Sequence, residues 1–321
     1  MKIIVKDVET PEVGPRDILL RPAYVGICGS EVQMYRLGYH AAATGLPPSD
    51  PRRSWRPIGH EASGTIAETG SKVKGWRTGD RYWSHDIENS FADYVAIAED
   101  RARGLLHHLP DELSSEQGAL LEPLNVAMIL LSKTNVDEGK SIAILGGGSI
   151  GLLTLQAAKV CGASSVYVSE VNPLRIERAR ELGADEVMNP KEDDVVERVR
   201  QLTKGVGVDV VIETAGLKQT FDQMVNMLRY GGRGVILSWW EKMIEVDLNP
   251  IVYSCLEIVG SKGPSTPFQR EWLRVHHPVR LMSEGKINVD RIITSKVPLE
   301  QIDEAFQSVL QGRELKVLVH P

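Results

Sequence analysis

The sequence predicts an α/β protein in which a β-rich, partly open barrel precedes a doubly wound parallel sheet. Three observations predict it. Short β-like runs separated by Gly and Pro turns fill roughly the first 120 residues, and from Ser141 onward apolar strands alternate with helices of about 10 to 12 residues. Between the first of those strands and the first of those helices stands Gly146-Gly147-Gly148-Ser149-Ile150-Gly151. Alternation of this kind builds parallel sheets with right-handed crossovers.

The barrel region carries β-like runs at Asp17 to Val25, Ala62 to Glu68 and Phe91 to Ala96, broken by turns such as Gly45-Leu46-Pro47-Pro48 and Arg77-Thr78-Gly79-Asp80. The regular region opens with the strand Ile142 to Leu145 and an apolar helix from Ile150 to Cys161. The strand Val166 to Ser169 follows, then a helix opened by Asn172-Pro173, a cap with proline in the first turn, and closed at Leu182-Gly183. A helix Glu192 to Thr203, a strand Val208 to Ile212, a helix Leu217 to Leu228 ahead of Gly231-Gly232, and a strand Gly234 to Leu237 continue the alternation. The apolar strand Leu256 to Gly260 falls near the expected edge of this sheet. The last helix, Leu299 to Leu310, and the final strand, Leu315 to Val319, stand apart from it.

Size and charge narrow the function. The 321 residues, 42% of them hydrophobic, can build full cores without disulfides and favour two domains over one. A formal charge of −6 offers no basic field to nucleic acid or to an anionic membrane surface, so a small molecule is the expected partner. Cys28, Cys161 and Cys255 are odd in number and far apart, which fits a reducing compartment, and the cytosol is expected. Met1 to Asp7 is too short an apolar run for a signal peptide, and no window approaches the ~18 apolar residues of a membrane span.

The glycine run matches G-x-G-x-x-G in the context that gives the pattern its meaning. Gly146 allows the tight turn, Gly148 lets the backbone approach a pyrophosphate, and Gly151 lets helix and strand pack closely, while the amides of Ser149 and Ile150 at the helix start face the phosphates. Glu170, nineteen residues past Gly151, ends the second strand, where its carboxylate can accept from both adenosine ribose hydroxyls. A 2′-phosphate there meets a like charge, so NAD is expected over NADP. Arg175 lies where it can contact the ribose or pair with such a phosphate.

Ahead of that turn, three segments carry candidate metal ligands: Gly26-Ile27-Cys28-Gly29-Ser30-Glu31, Gly59-His60-Glu61 and Leu121-Glu122-Pro123-Leu124. A lone Cys, His or Glu is more often structural. Together, one thiolate, one imidazole and one or two carboxylates form the mixed S/N/O set of a catalytic zinc that keeps a position open.

These segments, in this order and spacing, resemble the zinc-dependent medium-chain dehydrogenases, in particular the branch of sorbitol and other polyol dehydrogenases and threonine 3-dehydrogenase. The resemblance covers nearly the whole chain. It implies a Rossmann sheet and a GroES-like barrel: residues 1–125 as the catalytic domain, completed by about 286–321, and 126–285 as the NAD domain. It also implies one catalytic Zn2+ per subunit on Cys28 and His60, with Glu61 and Glu122 sharing the remaining role. Polyol dehydrogenases use the carboxylate matching Glu61 and hold the one matching Glu122 through the metal-bound water; other members exchange the two. By the same resemblance Glu31, at a position usually held by aspartate, fixes the tautomer of His60, Ser30 bonds the substrate oxygen and starts proton removal, and Lys316 contacts the cofactor pyrophosphate.

The chain departs from the family in three ways. The lobe of four cysteines with a structural zinc is missing, since Asp80-Arg81-Tyr82-Trp83 runs within a few residues to Phe91-Ala92-Asp93-Tyr94-Val95. The chain ahead of Cys28 is shorter by a strand or two. Gln33 stands where some alcohol dehydrogenases place a relay histidine, and Gln exchanges no proton. The proton then leaves through Ser30, the cofactor ribose and water, or beside Glu122, with His40 a lesser exit.

The expected function is NAD-dependent oxidation of a secondary alcohol, such as a polyol, sugar or aminocyclitol, in a homodimer or homotetramer. Two rivals stand beside it: a zinc-free quinone or enoyl reductase of the same fold, and an NAD(H)-binding sensor without turnover. The loop Tyr39 to Arg53, with His40, Ser49, Asp50, Arg52 and Arg53, and the pair Trp239-Trp240 are the candidate pocket lining.

Overall fold

The computed structural model describes residues 2–37, 58–263 and 266–321. The chain divides into two compact units, Met1–Glu122 with Val289–Pro321, and Pro123–Asn288.

Among the described residues the first unit is built on strands β1 (Asp17–Gly26), β2 (Glu61–Thr69), β3 (Arg81–Ser84), β4 (Val95–Ala98) and β5 (Leu106–His108), with β12 (Ile293–Pro298) and β13 (Lys316–His320) from the chain's end. Their order is β12-β13-β1-β2-β3-β5, and β4 also pairs with β1. The inward residues Ile18, Leu20, Ile66, Tyr82, Val95 and Ile97 form one core, as alternating strands on a half-buried sheet require. The final strand pairs antiparallel with the end of β1, Val25 opposite Val319 and Gly26 opposite Leu318. That return brings the chain's last residues beside Cys28. The strand expected from Phe91 begins only at Val95, because the chain bends at Phe91 so that its ring meets Phe306 edge-on at 6.0 Å. Helices α1 (Gly29–Leu37), α2 (Glu99–Ala102) and α3 (Ser115–Ala119) follow the strands, and α4 (Leu121–Leu131) starts here and runs into the second unit.

In the second unit the strands β6 (Ser141–Leu145), β7 (Ser165–Ser169), β8 (Glu186–Met188), β9 (Val208–Glu213), β10 (Leu228–Ile236) and β11 (Glu257–Gly260) form a parallel sheet of order β11-β10-β9-β6-β7-β8. Helices α5 (Ser149–Val160), α6 (Pro173–Glu181), α7 (Val195–Leu202), α8 (Lys218–Met227), α9 (Asn249–Tyr253), α10 (Pro267–Val275) and α11 (Pro278–Ser283) connect or follow these strands, and α12 (Ile302–Leu310) packs with α1 in the first unit around Phe306. Among the boundaries that differ from the sequence reading, two have a local cause. Helix α7 starts at Val195 rather than Glu192 because Asp194 caps it, accepting from the Glu197 amide at 3.1 Å. Strand β10 takes over Leu228 from the preceding helix, since Leu228 pairs with Val208 on β9.

Candidate active site

In the first unit, the Ile27 amide bonds the Val317 carbonyl at 3.0 Å, which holds the end of β1 against β13 as the chain turns into α1. A Cβ at Gly26 would crowd Glu61 Oε2, so a larger residue there would displace that carboxylate. Glu31 then organises the turn. Its Oε2 accepts from the Cys28 amide at 3.0 Å, and its Oε1 accepts from the Gly59 amide and lies 3.0 Å from His60 Nδ1. A buried carboxylate is an acceptor, so His60 carries its proton on Nδ1 and its other nitrogen is left as a potential metal ligand. The longer side chain of Glu31 thus makes the contact that the resemblance assigns to a shorter aspartate.

One ligand atom each from Cys28, His60 and Glu61 lies within 4.8 Å of the others. The charges explain why a cation fits. Burial and the Glu61 charge push the Cys28 thiol up. Burial by itself lowers His60, but its bonds to Cys28 and Glu31 prevail and raise it. The pocket therefore stabilises positive charge on the imidazole. A thiolate, an imidazole with its tautomer fixed and a carboxylate are the donor set of zinc, and the residues fit that ion.

Lys316, for which the resemblance implies a contact with the cofactor pyrophosphate, is buried in the first unit, with Nζ 2.6 Å from Glu61 Oε2 and 2.9 Å from the Ile27 carbonyl. Burial lowers its pKa, and the surrounding carboxylates and thiol outweigh this and raise it. Lys316 is the counter-ion of Glu61. Glu122 stands outside the close trio, and burial together with the Glu61 charge pushes its carboxyl up to about 8. His85, which sequence reasoning missed, lies with Nδ1 3.6 Å from Glu122 Oε1; that nitrogen is buried without a hydrogen-bond partner, and burial lowers its pKa. Its signal in the sequence was slight: a single histidine at the end of β3, at the place where the cysteine lobe is missing. Ser30 lies on α1 and donates to Cys28 Sγ at 3.3 Å, which puts its hydroxyl beside the candidate metal ligands.

In the second unit the glycine run joins β6 to α5. Gly146 is at φ 113, and Gly151 is required because a Cβ would collide with the Gly146 carbonyl. A Cβ on Gly148 would meet nothing within 4 Å, so open space lies before the start of α5, whose Gly148 carbonyl accepts from Leu152. The first-turn amides of a helix have no acceptor within the helix itself. Open space in front of helix-start amides suits a pyrophosphate. Glu170 is buried at the end of β7; Oε2 accepts from Gly147 at 2.7 Å, and Oε1 from Val171 at 2.7 Å and Asn172 at 2.9 Å. The carboxylate pins the glycine turn. Arg175 Nη1 stands 3.9 Å from it, while Arg175 Nε is buried without a partner.

The other expected pocket residues are placed less closely. Tyr39 to Arg53 lie outside the described residues. Trp240 packs on the sheet's core, edge-on to Phe221 at 6.3 Å, and Trp239 is half exposed.

Residues 14–110 match the model of the alcohol dehydrogenase GroES-like domain, and residues 149–277 that of the zinc-binding dehydrogenases. The chain is 32% identical over 346 residues to (R,R)-butanediol dehydrogenase of Bacillus subtilis, covering 99% of this chain and 96% of the relative. It is 30% identical over 341 residues to L-threonine 3-dehydrogenase of Pyrococcus horikoshii, covering 97% and 93%. A crystal structure of 2R,3R-butanediol dehydrogenase from B. subtilis superposes with a TM-score of 0.83 at 31% identity over 98% of this chain and 95% of that one. A zinc-binding dehydrogenase of Sinorhizobium meliloti bound to NADP gives 0.81 at 28% identity over 98% and 95%. With a barrel-type unit holding the thiol, imidazole and carboxylate, and a parallel-sheet unit holding the glycine turn, the chain belongs to the zinc-binding alcohol dehydrogenase family, in its polyol, butanediol and threonine dehydrogenase branch.

Proposed function

We propose that this oxidoreductase oxidises a secondary alcohol of a small hydroxylated molecule to a ketone, with NAD as hydride acceptor. The convergence of Cys28, His60 and Glu61 within 4.8 Å, with His60 held by Glu31, carries this reading. One zinc per subunit, held by Cys28, His60 and Glu61 with Glu122 nearby, supplies a Lewis acid that makes the alcohol acidic enough to give up its proton. Lys316 offsets the charge of Glu61 and Glu31 fixes the imidazole. Ser30 accepts a hydrogen bond from the substrate hydroxyl and passes its own proton onward to water as it takes the substrate's. Glu122, pushed up to about 8, can hold or release a proton near neutrality. Gly146, Gly148 and the first turn of α5 take the pyrophosphate, and Glu170 favours the unphosphorylated ribose, so NAD is preferred although a relative binds NADP.

Butanediol and threonine, the substrates named for relatives, both carry a secondary hydroxyl beside a second polar group. The same class is proposed here. Edge strand β11, with exposed Leu248, Val252 and Tyr253 close by in sequence, supports an isologous dimer, and the free cysteines support a cytoplasmic site. No helix among the described residues is long and apolar enough to cross a membrane.

The test combines metal analysis with NAD reduction over a panel of vicinal diols, polyols, inositols, amino-polyols and threonine. One zinc per chain and chelator-sensitive turnover are expected. Turnover that survives complete zinc removal returns the chain to the zinc-free reductases, and NADH binding without turnover makes it a sensor.

A further inference from the structure

Glu213 ends β9 at the carboxyl edge of the parallel sheet, and its side chain is 0% exposed. Its Oε1 accepts from the amides of Ala215 at 2.9 Å and Gly216 at 2.8 Å and from Thr220 Oγ1 at 2.7 Å; its Oε2 accepts from Ser238 Oγ. A carboxylate taken out of water costs several kcal/mol unless donors replace the lost hydration. Here the donors come from the turn after β9, from α8 and from the segment after β10.

The adjoining residues extend the link. The Glu213 carbonyl accepts from the Leu237 amide at 3.1 Å, and Gly216, at φ 72, packs so closely that a Cβ would lie 2.9 Å from the Trp239 carbonyl. On the other side Thr214 Oγ1 reaches the Leu145 carbonyl at 3.0 Å and the Gly146 carbonyl at 3.2 Å, clasping the glycine turn. Three loops that leave neighbouring strands, β10, β9 and β6, are thus tied at one point. In parallel sheets that edge is where ligands bind. Glu170 stands on β7, on the far side of β6, so a dinucleotide whose adenosine ribose is at Glu170 extends over β9 and β10 with its other half.

We propose that Glu213 is a positioning residue of the dinucleotide site, acting through Ser238 to set the segment after β10 against the nicotinamide half. This rests on reading the second unit as the NAD unit. Ser238→Ala removes the bond to that segment and leaves the carboxylate its other donors. Its NADH dissociation constant should rise about 5- to 10-fold by calorimetry, while that of ADP, which lacks the nicotinamide half, stays within about twofold. Glu213→Gln keeps an acceptor at Oε1 and lets the Ser238 hydroxyl reverse its bond, so it should lie between Ser238→Ala and the wild type. Zinc content should not change. NADH binding within twofold of wild type in both variants overturns the proposal, as does equal weakening of NADH and ADP. A wild-type protein that binds no NADH overturns the cofactor reading together with it.

Discussion

Apart from Thr214, the residues that shape the dinucleotide turn lie within about thirty positions, Gly146 to Arg175, and Glu170 accepts from backbone amides there. The candidate metal cluster of the first unit instead draws Cys28, Glu31, His60, Glu61, Glu122 and Lys316 from four stretches of chain and balances one buried charge against another. A site closed by local amides tolerates loss of a side chain better than a site balanced by buried ions, because no uncompensated charge is left behind.

Cys28→Ala should show the largest effect: turnover falls by about 10³-fold or more as a metal ligand is lost, while NADH affinity stays within about twofold. Calorimetry that found both lost together would break the separation of the two sites. Lys316→Met comes next. It leaves Glu61 buried without its cation and should destabilise the protein by roughly 3–5 kcal/mol in urea unfolding, with Lys316→Met/Glu61→Gln recovering most of that. A single-variant cost below about 1 kcal/mol would show that Glu61 is compensated by something other than Lys316.

In the other unit, Glu170→Ala should narrow the NAD over NADP preference in kcat/KM by about tenfold, since it removes repulsion of a 2′-phosphate and loosens only local amides. An unchanged ratio would move the discrimination to Arg175. The smallest effect is a pH slope of the metal-free protein. Glu122, pushed up to about 8, keeps a proton that the unfolded chain releases near pH 4.5, so stability falls as pH rises from about 4.5 to about 8. The raised His60 acts in the same direction above its ordinary 6.5, so the comparison that isolates Glu122 is wild type against Glu122→Gln. Thermal melts across pH should be flatter for the variant below pH 8; equal slopes would place the titration elsewhere.

The difference between the units also explains what could be read from the chain. Strand, glycine turn and helix from Ser141 to Val160 follow from local rules: a buried apolar strand, a positive φ at Gly146 and a helix start. Cys28 and His60 were legible as candidates because their short motifs keep the residue types that zinc chemistry needs. Strand β10 starts six residues before the expected Gly234, because pairing with β9 overrode the helical pattern that runs through Leu228. His85 was missed because nothing adjacent in sequence marks it; only the fold sets it against Glu122.

By itself, then, the sequence determined the parallel α/β unit, the glycine turn with Glu170, and the residue types of a zinc centre, because each is written in periodicity, turn chemistry or a short motif. Tertiary structure alone decided the charge balance of that centre. Lys316 lies 255 positions from Glu61 and 289 from Ile27, and they meet only because β13 returns to pair with β1. No local pattern encodes that closure, and a buried lysine looks like any basic residue until the fold shows which carboxylate it must neutralise.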